Sequence, residues 1–200
     1  MVRDELKGVP TSPYTGIPGW ETNPEEATLT ALAGEVPEGG VIVELGSEYG
    51  RSAGAFARGS MKSVDIVSVD LFPKDHAVVG DLLAEYQANV GKLLLDGRRI
   101  GLMIGDSAEA AQHWPEGKAI DLLFIDAAHD YEAVRRDIAA WVPYLKHGGV
   151  VAFHDCAVGP DSHYSHHEVS RAVDEWKLAE NGLFTERPQV DSLRVFDKGG

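Results

Sequence analysis

Five acidic residues stand where a short apolar run stops: Glu44 in Val41-Ile-Val-Glu-Leu45, Asp70 closing residues 65–70, Asp106 past Ile100-Gly-Leu-Met-Ile104, Asp126 after residues 120–125, and Asp155 after residues 150–153. A carboxylate can accept from hydroxyl or amine donors, take up a proton, or ligate a hard cation. His129 and His154 stand near the last two, and His163-Tyr-Ser-His166-His167 follows in a segment read as a loop; imidazoles titrate near neutral pH and also bind metals. In the segment Glu44-Leu-Gly46-Ser47-Glu-Tyr-Gly50-Arg-Ser52, two glycines let backbone approach a ligand closely. The spacing is neither the Gly-x-Gly-x-x-Gly of dinucleotide sites nor a P-loop.

These residues need a scaffold that gathers strand ends. Met1 to Trp20 hold Pro10, Pro13 and Pro18 without any period and read as an irregular leader over residues 1–22, one that can serve as a lid. Asn23-Pro24-Glu25-Glu26 starts a helix to about Val36, with Asn23 as cap and Glu26 closing a capping box. From Val41 apolar runs and helical patterns alternate: strands at 41–45, 65–70, 100–104, 120–125 and 150–153, and helices over 51–58, 79–95, 107–113, 131–145 and 169–178. Phe184 to Arg187 and Ser192 to Phe196 read as a closing strand pair with a turn near Val190-Asp191. Alternation of this kind predicts a largely parallel α/β sheet covered by helices on both faces, with ligands beyond the carboxyl ends of the strands. Residues 23–200 are read as a single domain.

If the strands before Asp126 and Asp155 are neighbours, about 4.8 Å apart, their carboxylates face each other and repel. They must then share a proton, gain a cationic partner or coordinate a hard metal. Asp106 and Ser107 also suit the simpler role of helix cap, and Gly46 and Gly50 that of a tight turn.

With the ordered segments in view, the chain resembles class I methyltransferases that use S-adenosylmethionine (SAM), and within them the small-molecule O-methyltransferase branch of macrocin and catechol O-methyltransferases, methyltransferase family 24. The resemblance runs from Glu44-Leu-Gly46 through Phe124-Ile-Asp126-Ala-Ala-His129-Asp-Tyr131 and Asp137 to Gly148-Gly149-Val-Val-Ala-Phe-His154-Asp155. It implies a Rossmann-like, seven-stranded, mostly parallel sheet with an antiparallel C-terminal strand. It also implies that Glu44, Gly46, Ser47, Gly50 and Ser52 hold the methionine part of SAM, Asp70 the ribose, and Asp106 and Ser107 the adenine, with Leu71 and Asp126 completing the cofactor site. Asp126 and Asp155 would carry a divalent ion, typically Mg2+, and His129, Asp126 and Asp155 the catalysis, His129 being preferred to His154 as base. Where relatives place Asn or a carboxylate after the last Asp, this chain has Cys156, a poor magnesium ligand.

The acceptor implied is a small hydroxylated molecule, and a homodimer is the family expectation. Two other readings use the same residues: metal-dependent oxidative chemistry of the cephalosporin-hydroxylase kind through His129, Asp155 and the histidine segment, and a non-catalytic SAM-binding module. With 18 Lys and Arg against 32 Asp and Glu among 200 residues, a net charge of −14 repels a phosphate backbone, so nucleic acid is not the expected partner. No apolar stretch approaches the ~20 residues of a membrane span, and the single cysteine precludes an internal disulfide. A cytoplasmic protein is expected.

Overall fold

A computed structural model describes residues 8–74 and 80–199. Seven strands, β1 (Val41–Leu45), β2 (Asp65–Asp70), β3 (Arg99–Ile104), β4 (Ile120–Ile125), β5 (Leu145–Phe153), β6 (Phe184–Glu186) and β7 (Arg194–Lys198), form one sheet in the order β3-β2-β1-β4-β5-β7-β6. β3 through β5 pair in parallel, and β7 runs antiparallel to both β5 and β6. The strand pattern predicted the sheet's largely parallel character, and the family resemblance implied the seven strands and the antiparallel C-terminal strand. Chain order reverses between β1 and β4, which opens a crevice beyond their carboxyl ends.

Strand alternation sorts the core into two faces. Val43, Leu45, Leu123, Ile125, Val151 and Phe153 pack against α5 (Tyr131–Trp141) and α6 (Tyr164–Ala179). Ile42, Leu122, Phe124 and Ala152 pack against α1 (Asn23–Glu35) and α2 (Arg51–Gly59). A third cluster joins Val9 and Ile17 of the leader to Leu82, Tyr86 and Val90 of α3 (Leu82–Leu95). The leader is therefore docked against the domain through apolar burial from Val9 onward. A short α4 (Ser107–Ala110) continues as one 3-10 turn to His113. Among the described residues no helix is long and apolar enough to cross a membrane.

Several boundaries differ from the sequence reading. Thr22, not Asn23, caps α1, and Glu25, not Glu26, closes the capping box; Glu26 is instead drawn inward to Ser12 and Arg51. The helix expected over 131–145 stops at Trp141, passes through a 3-10 turn, and gives way to a longer β5 from Leu145. Leu145 continues the helical apolar phase of Val134, Ile138 and Trp141, but it pairs with Ile120 ahead of a register shift. α6 begins at Tyr164, so His166 and His167 are helical and His163 is the cap, not members of a loop. β7 is displaced two residues toward the C-terminus, after a turn in which Asp191 has φ 47°. Val79, expected to begin α3, lies outside the described residues; Asp81 caps the helix.

Candidate active site

The crevice holds a cavity of about 660 Å³, within the range that takes a nucleoside-sized ligand. Its floor comes from the loops after β1 to β5 and its roof from the leader residues Pro18, Gly19, Trp20 and Glu21.

The β1–α2 loop is shaped by close backbone approach. Gly46 has φ 82°, and a Cβ there would lie 2.0 Å from the carbonyl oxygen of Asp126, so the loop reaches the β4 end only without a side chain. Gly50 has φ 88° and abuts Val90; it shapes the turn into α2 and does not line the cavity, which corrects its expected role as a cofactor contact. Ser47 and Ser52 do line it. Glu44 is a second correction. It is 0% exposed and absent from the cavity wall, because strand alternation turns it to the same face as Ile42. Ser68 Oγ donates to it at 2.5 Å, and burial pushes its pKa up to about 7 against the hydroxyls of Ser52, Ser68 and Ser47. Glu44 thus supports the loop from beneath.

Asp70, at the end of β2, accepts at Oδ2 from the amides of Ser47 (2.8 Å) and Glu48 (3.0 Å), and at Oδ1 from Phe72 N–H (2.8 Å). Those bonds tie the β1 and β2 loops together and leave acceptor capacity on Oδ1 at the cavity wall. Leu71 beside it is 65% exposed and also lines the cavity. Asp106 caps α4 through Glu109 N–H (3.0 Å) and stands 3.8 Å from Arg136. Ser107 donates to Asp137 (2.5 Å), and both Asp106 and Ser107 border the cavity. Capping and ligand contact are compatible at this position.

At the ends of β4 and β5 the expected carboxylate pair is present, with imidazoles between and around it. His154, 4% exposed, is held at Nδ1 by Asp126 (3.1 Å) and at Nε2 by Glu25 of α1 (3.1 Å). Glu25 also accepts from Ser192 N–H (2.8 Å), Ser192 Oγ (2.6 Å) and Thr22 N–H (2.7 Å). Although burial opposes its charge, hydrogen bonds from His154 and Ser192 bring the pKa of Glu25 down to about 2. Burial likewise disfavours charge on His154, yet Asp126, Asp155 and Glu25 together raise its pKa well above 6.5. His129 Nε2 lies 3.0 Å from Asp155 Oδ2 and 3.7 Å from Asp126, which raise its pKa. His166 Nε2 lies 3.3 Å from Asp155 Oδ1 and lines the cavity, whereas His163 and His167 do not. Asp155 sits at φ 53°, and its pKa falls to about 2 because His154, His129 and His166 outweigh its burial.

The carboxylate pair thus has the cationic partners its repulsion demands. Ligand atoms of Asp126, His154 and Asp155 lie within 4.8 Å of one another, and the two carboxylates fit a divalent ion, while His154 has both nitrogens engaged by Asp126 and Glu25. Cys156 is no part of it: the thiol is fully buried, its Sγ 3.8 Å from the carbonyl of Phe153, and burial pushes its pKa up to about 12.

Glu21, Glu25 and Arg51 carried no functional signal in the sequence, whereas Trp20 was a candidate to cover a ligand or simply to pack. Glu25 was visible only as a helix-start residue. Glu21 and Trp20 come from the leader, Trp20 Nε1 donating to Glu48 Oε1 at 3.3 Å. Arg51, 2% exposed, fastens that roof through Glu26 (2.9 Å), the Gly19 carbonyl (2.9 Å) and Asn23 (3.2 Å).

Comparison with known proteins bears on this arrangement. TomG, an O-methyltransferase from Streptomyces achromogenes involved in tomaymycin synthesis and seen in complex with SAM, superposes with TM-score 0.68 at 16% identity, over 90% of this chain and 82% of its own. An O-methyltransferase from Bacillus cereus in complex with SAH, the demethylated product of SAM, gives 0.67 at 17% identity, over 96% and 84%. CalS11, a TDP-rhamnose 3'-O-methyltransferase of calicheamicin biosynthesis, gives 0.65 at 24% identity, over 88% and 78%. At these identities the likeness establishes a shared fold. No curated protein sequence matches the chain. Residues 43–156, more than half of the sequence and the stretch from β1 to just past β5, match the methyltransferase-domain family, and the chain belongs to that family.

Proposed function

We propose that the protein transfers the methyl group of SAM to a hydroxyl of a small molecule. The observation that carries this reading is the single cavity wall on which Asp106, Asp70 and the Gly46–Ser52 loop, at the ends of β3, β2 and β1, lead in that order toward the cluster of Asp126, His129, His154 and Asp155 beyond β4 and β5. An adenine, a ribose and an amino-acid end would find partners along the first three in turn, which brings the methyl-bearing sulfur, carried between ribose and amino acid, beside the fourth.

A sulfonium methyl is already activated, so the chain's main task is to hold the acceptor oxygen in line with it. His129 is the group suited to take the hydroxyl proton. Asp126 and Asp155 raise its basicity, Asp155 standing 3.0 Å from Nε2, and the ring borders the cavity. His154 is not available for this, since both of its nitrogens are engaged; it fixes Asp126 against Glu25. Asp126 and Asp155 would hold a divalent ion through their carboxylate oxygens, and such an ion when bound would polarise the acceptor hydroxyl. Leader residues 18–21 keep water from the reacting atoms. The acidic composition and the free, buried Cys156 favour a small, non-phosphorylated acceptor and a reducing, cytoplasmic setting.

Calorimetric titration with SAM tests the reading. The chain is expected to bind one molecule, and Asp70→Ala is expected to weaken binding at least about ten-fold by removing the loop tie and the ribose acceptor. Unchanged affinity in that variant refutes the assignment of the ribose site.

A further inference from the structure

Glu21 reaches the cavity from the leader and is 6% exposed. Every other carboxylate on the cavity wall has a donor committed to it: Trp20 for Glu48, three amides for Asp70, Glu109 N–H for Asp106, His154 for Asp126, and His129 and His166 for Asp155. Glu21 has its own backbone N–H as a donor, and the only side-chain cation paired with it among the described residues is Arg51, whose Nε stands off at 3.9 Å. That guanidinium already serves Glu26, the Gly19 carbonyl and Asn23. Glu21 lines the same cavity as Asp126, His129, His154 and Asp155, and Asp126 and His154 are the other charged groups that act on it.

A buried carboxyl with no side-chain donor at hydrogen-bond distance is costly to ionise unless a cation in the cavity offsets the burial. SAM and its demethylated product share the adenosine and the amino acid, so the loop, Asp70 and Asp106 serve both alike. The two differ in one methyl group and in the positive charge on sulfur. Resting on the reading of this cavity as a SAM site, we propose that Glu21 makes the protein distinguish the charged methyl donor from its neutral product, binding the sulfonium in preference to the thioether and so favouring product release after transfer.

The state of Glu21 agrees with this. Burial pushes its pKa up to about 8, with Asp126 adding to the rise and His154, its own backbone N–H and Arg51 opposing it, so a cation arriving in the cavity draws the carboxyl into its charged form. A neighbouring cation that lowers a carboxyl pKa by one unit improves its own binding about ten-fold.

The test is isothermal titration of the full chain with SAM and with SAH at pH 7.5, in two buffers of different ionisation enthalpy. Wild type is expected to bind SAM at least about three-fold more tightly than SAH at this pH, the gain reaching about ten-fold only once the carboxyl is fully ionised, and to release protons on binding SAM only. Glu21→Gln is expected to bring the two affinities together by weakening SAM while leaving SAH within about two-fold, and Glu21→Asp to keep part of the preference. The preference should also grow as pH rises toward 8. Equal affinities in wild type, or a Glu21→Gln variant that weakens both ligands alike, overturns the role of Glu21 and leaves the methyltransferase reading standing. Failure of wild type to bind either ligand overturns both.

Discussion

Replacing Glu25 by Gln keeps the side chain's shape but removes the charge against which His154 is fixed. Glu25 is 1% exposed and accepts four hydrogen bonds, from His154, Ser192 N–H, Ser192 Oγ and Thr22 N–H. Its pKa falls from 4.5 to about 2 on folding, which corresponds to about 3 kcal/mol of stability at neutral pH. That agrees with the lower end of the cost of breaking a buried charge pair, about 3 to 5 kcal/mol. For 200 residues the unfolding entropy is about 0.4 kcal/mol per kelvin, so Glu25→Gln should lower Tm by about 7 °C. The sign of the pH dependence follows from the two partners. A depressed carboxyl contributes fully above 4.5 and loses its contribution as pH falls through about 2; the raised His154 contributes fully below 6.5 and loses its share as pH rises through its folded value. The gap between wild type and variant should therefore be widest between pH 4.5 and 6.5, and the carboxyl's share should fall to about 2 kcal/mol by pH 3.5. Differential scanning calorimetry from pH 6.5 down to 3.5 measures this. A Tm change under about 2 °C, or a gap indifferent to pH, refutes the assignment of Glu25 and His154 as a charged, buried pair.

Gly46→Ala would drive a methyl into the Asp126 carbonyl at 2.0 Å with φ at 82°; the variant should lose SAM binding in calorimetry and at least about 2 kcal/mol of stability. Asp155→Asn should reduce methyl transfer from radiolabelled SAM to hydroxylated acceptors at least about ten-fold while changing SAM affinity little, since the carboxylate faces the acceptor side. Equal turnover would remove it from the mechanism. A labile divalent ion at Asp126 and Asp155 predicts that excess EDTA abolishes transfer and that added Mg2+ or Mn2+ restores it; full activity in EDTA excludes a required ion. Cys156, fully buried with its thiol pKa at about 12, should resist a thiol-specific reagent in the folded protein and react only on unfolding.

The strand-end carboxylates were legible because a parallel β/α sheet delivers each strand's last residues to one edge, and Asp70, Asp106, Asp126 and Asp155 all line the cavity there. Glu44 was misplaced for a reason the sequence also contained. It is the fourth residue of a five-residue strand, with the parity of Ile42, and so points beneath the loop. Leu145 was misread because an apolar residue four positions after Trp141 fits a helix as well as a strand start. The first turns of α6 were missed because His163 to Glu168 lack apolar periodicity. Glu21 and Glu25 could not be found from spacing, since Glu25 meets His154 across 129 positions and the leader is brought over the site by Arg51. Contacts of that kind depend on tertiary closure, which local pattern does not encode.

A crystal structure with the demethylated product of SAM bound tests the central claim most directly. Density for the adenine should lie against Leu71, Asp106 and Ser107, the ribose at Asp70, the amino acid along Gly46 to Ser52, and the sulfur facing Asp126 and Glu21. Product bound instead in the groove between α5 and α6, or with its sulfur turned away from Asp126, His129 and Asp155, would contradict it.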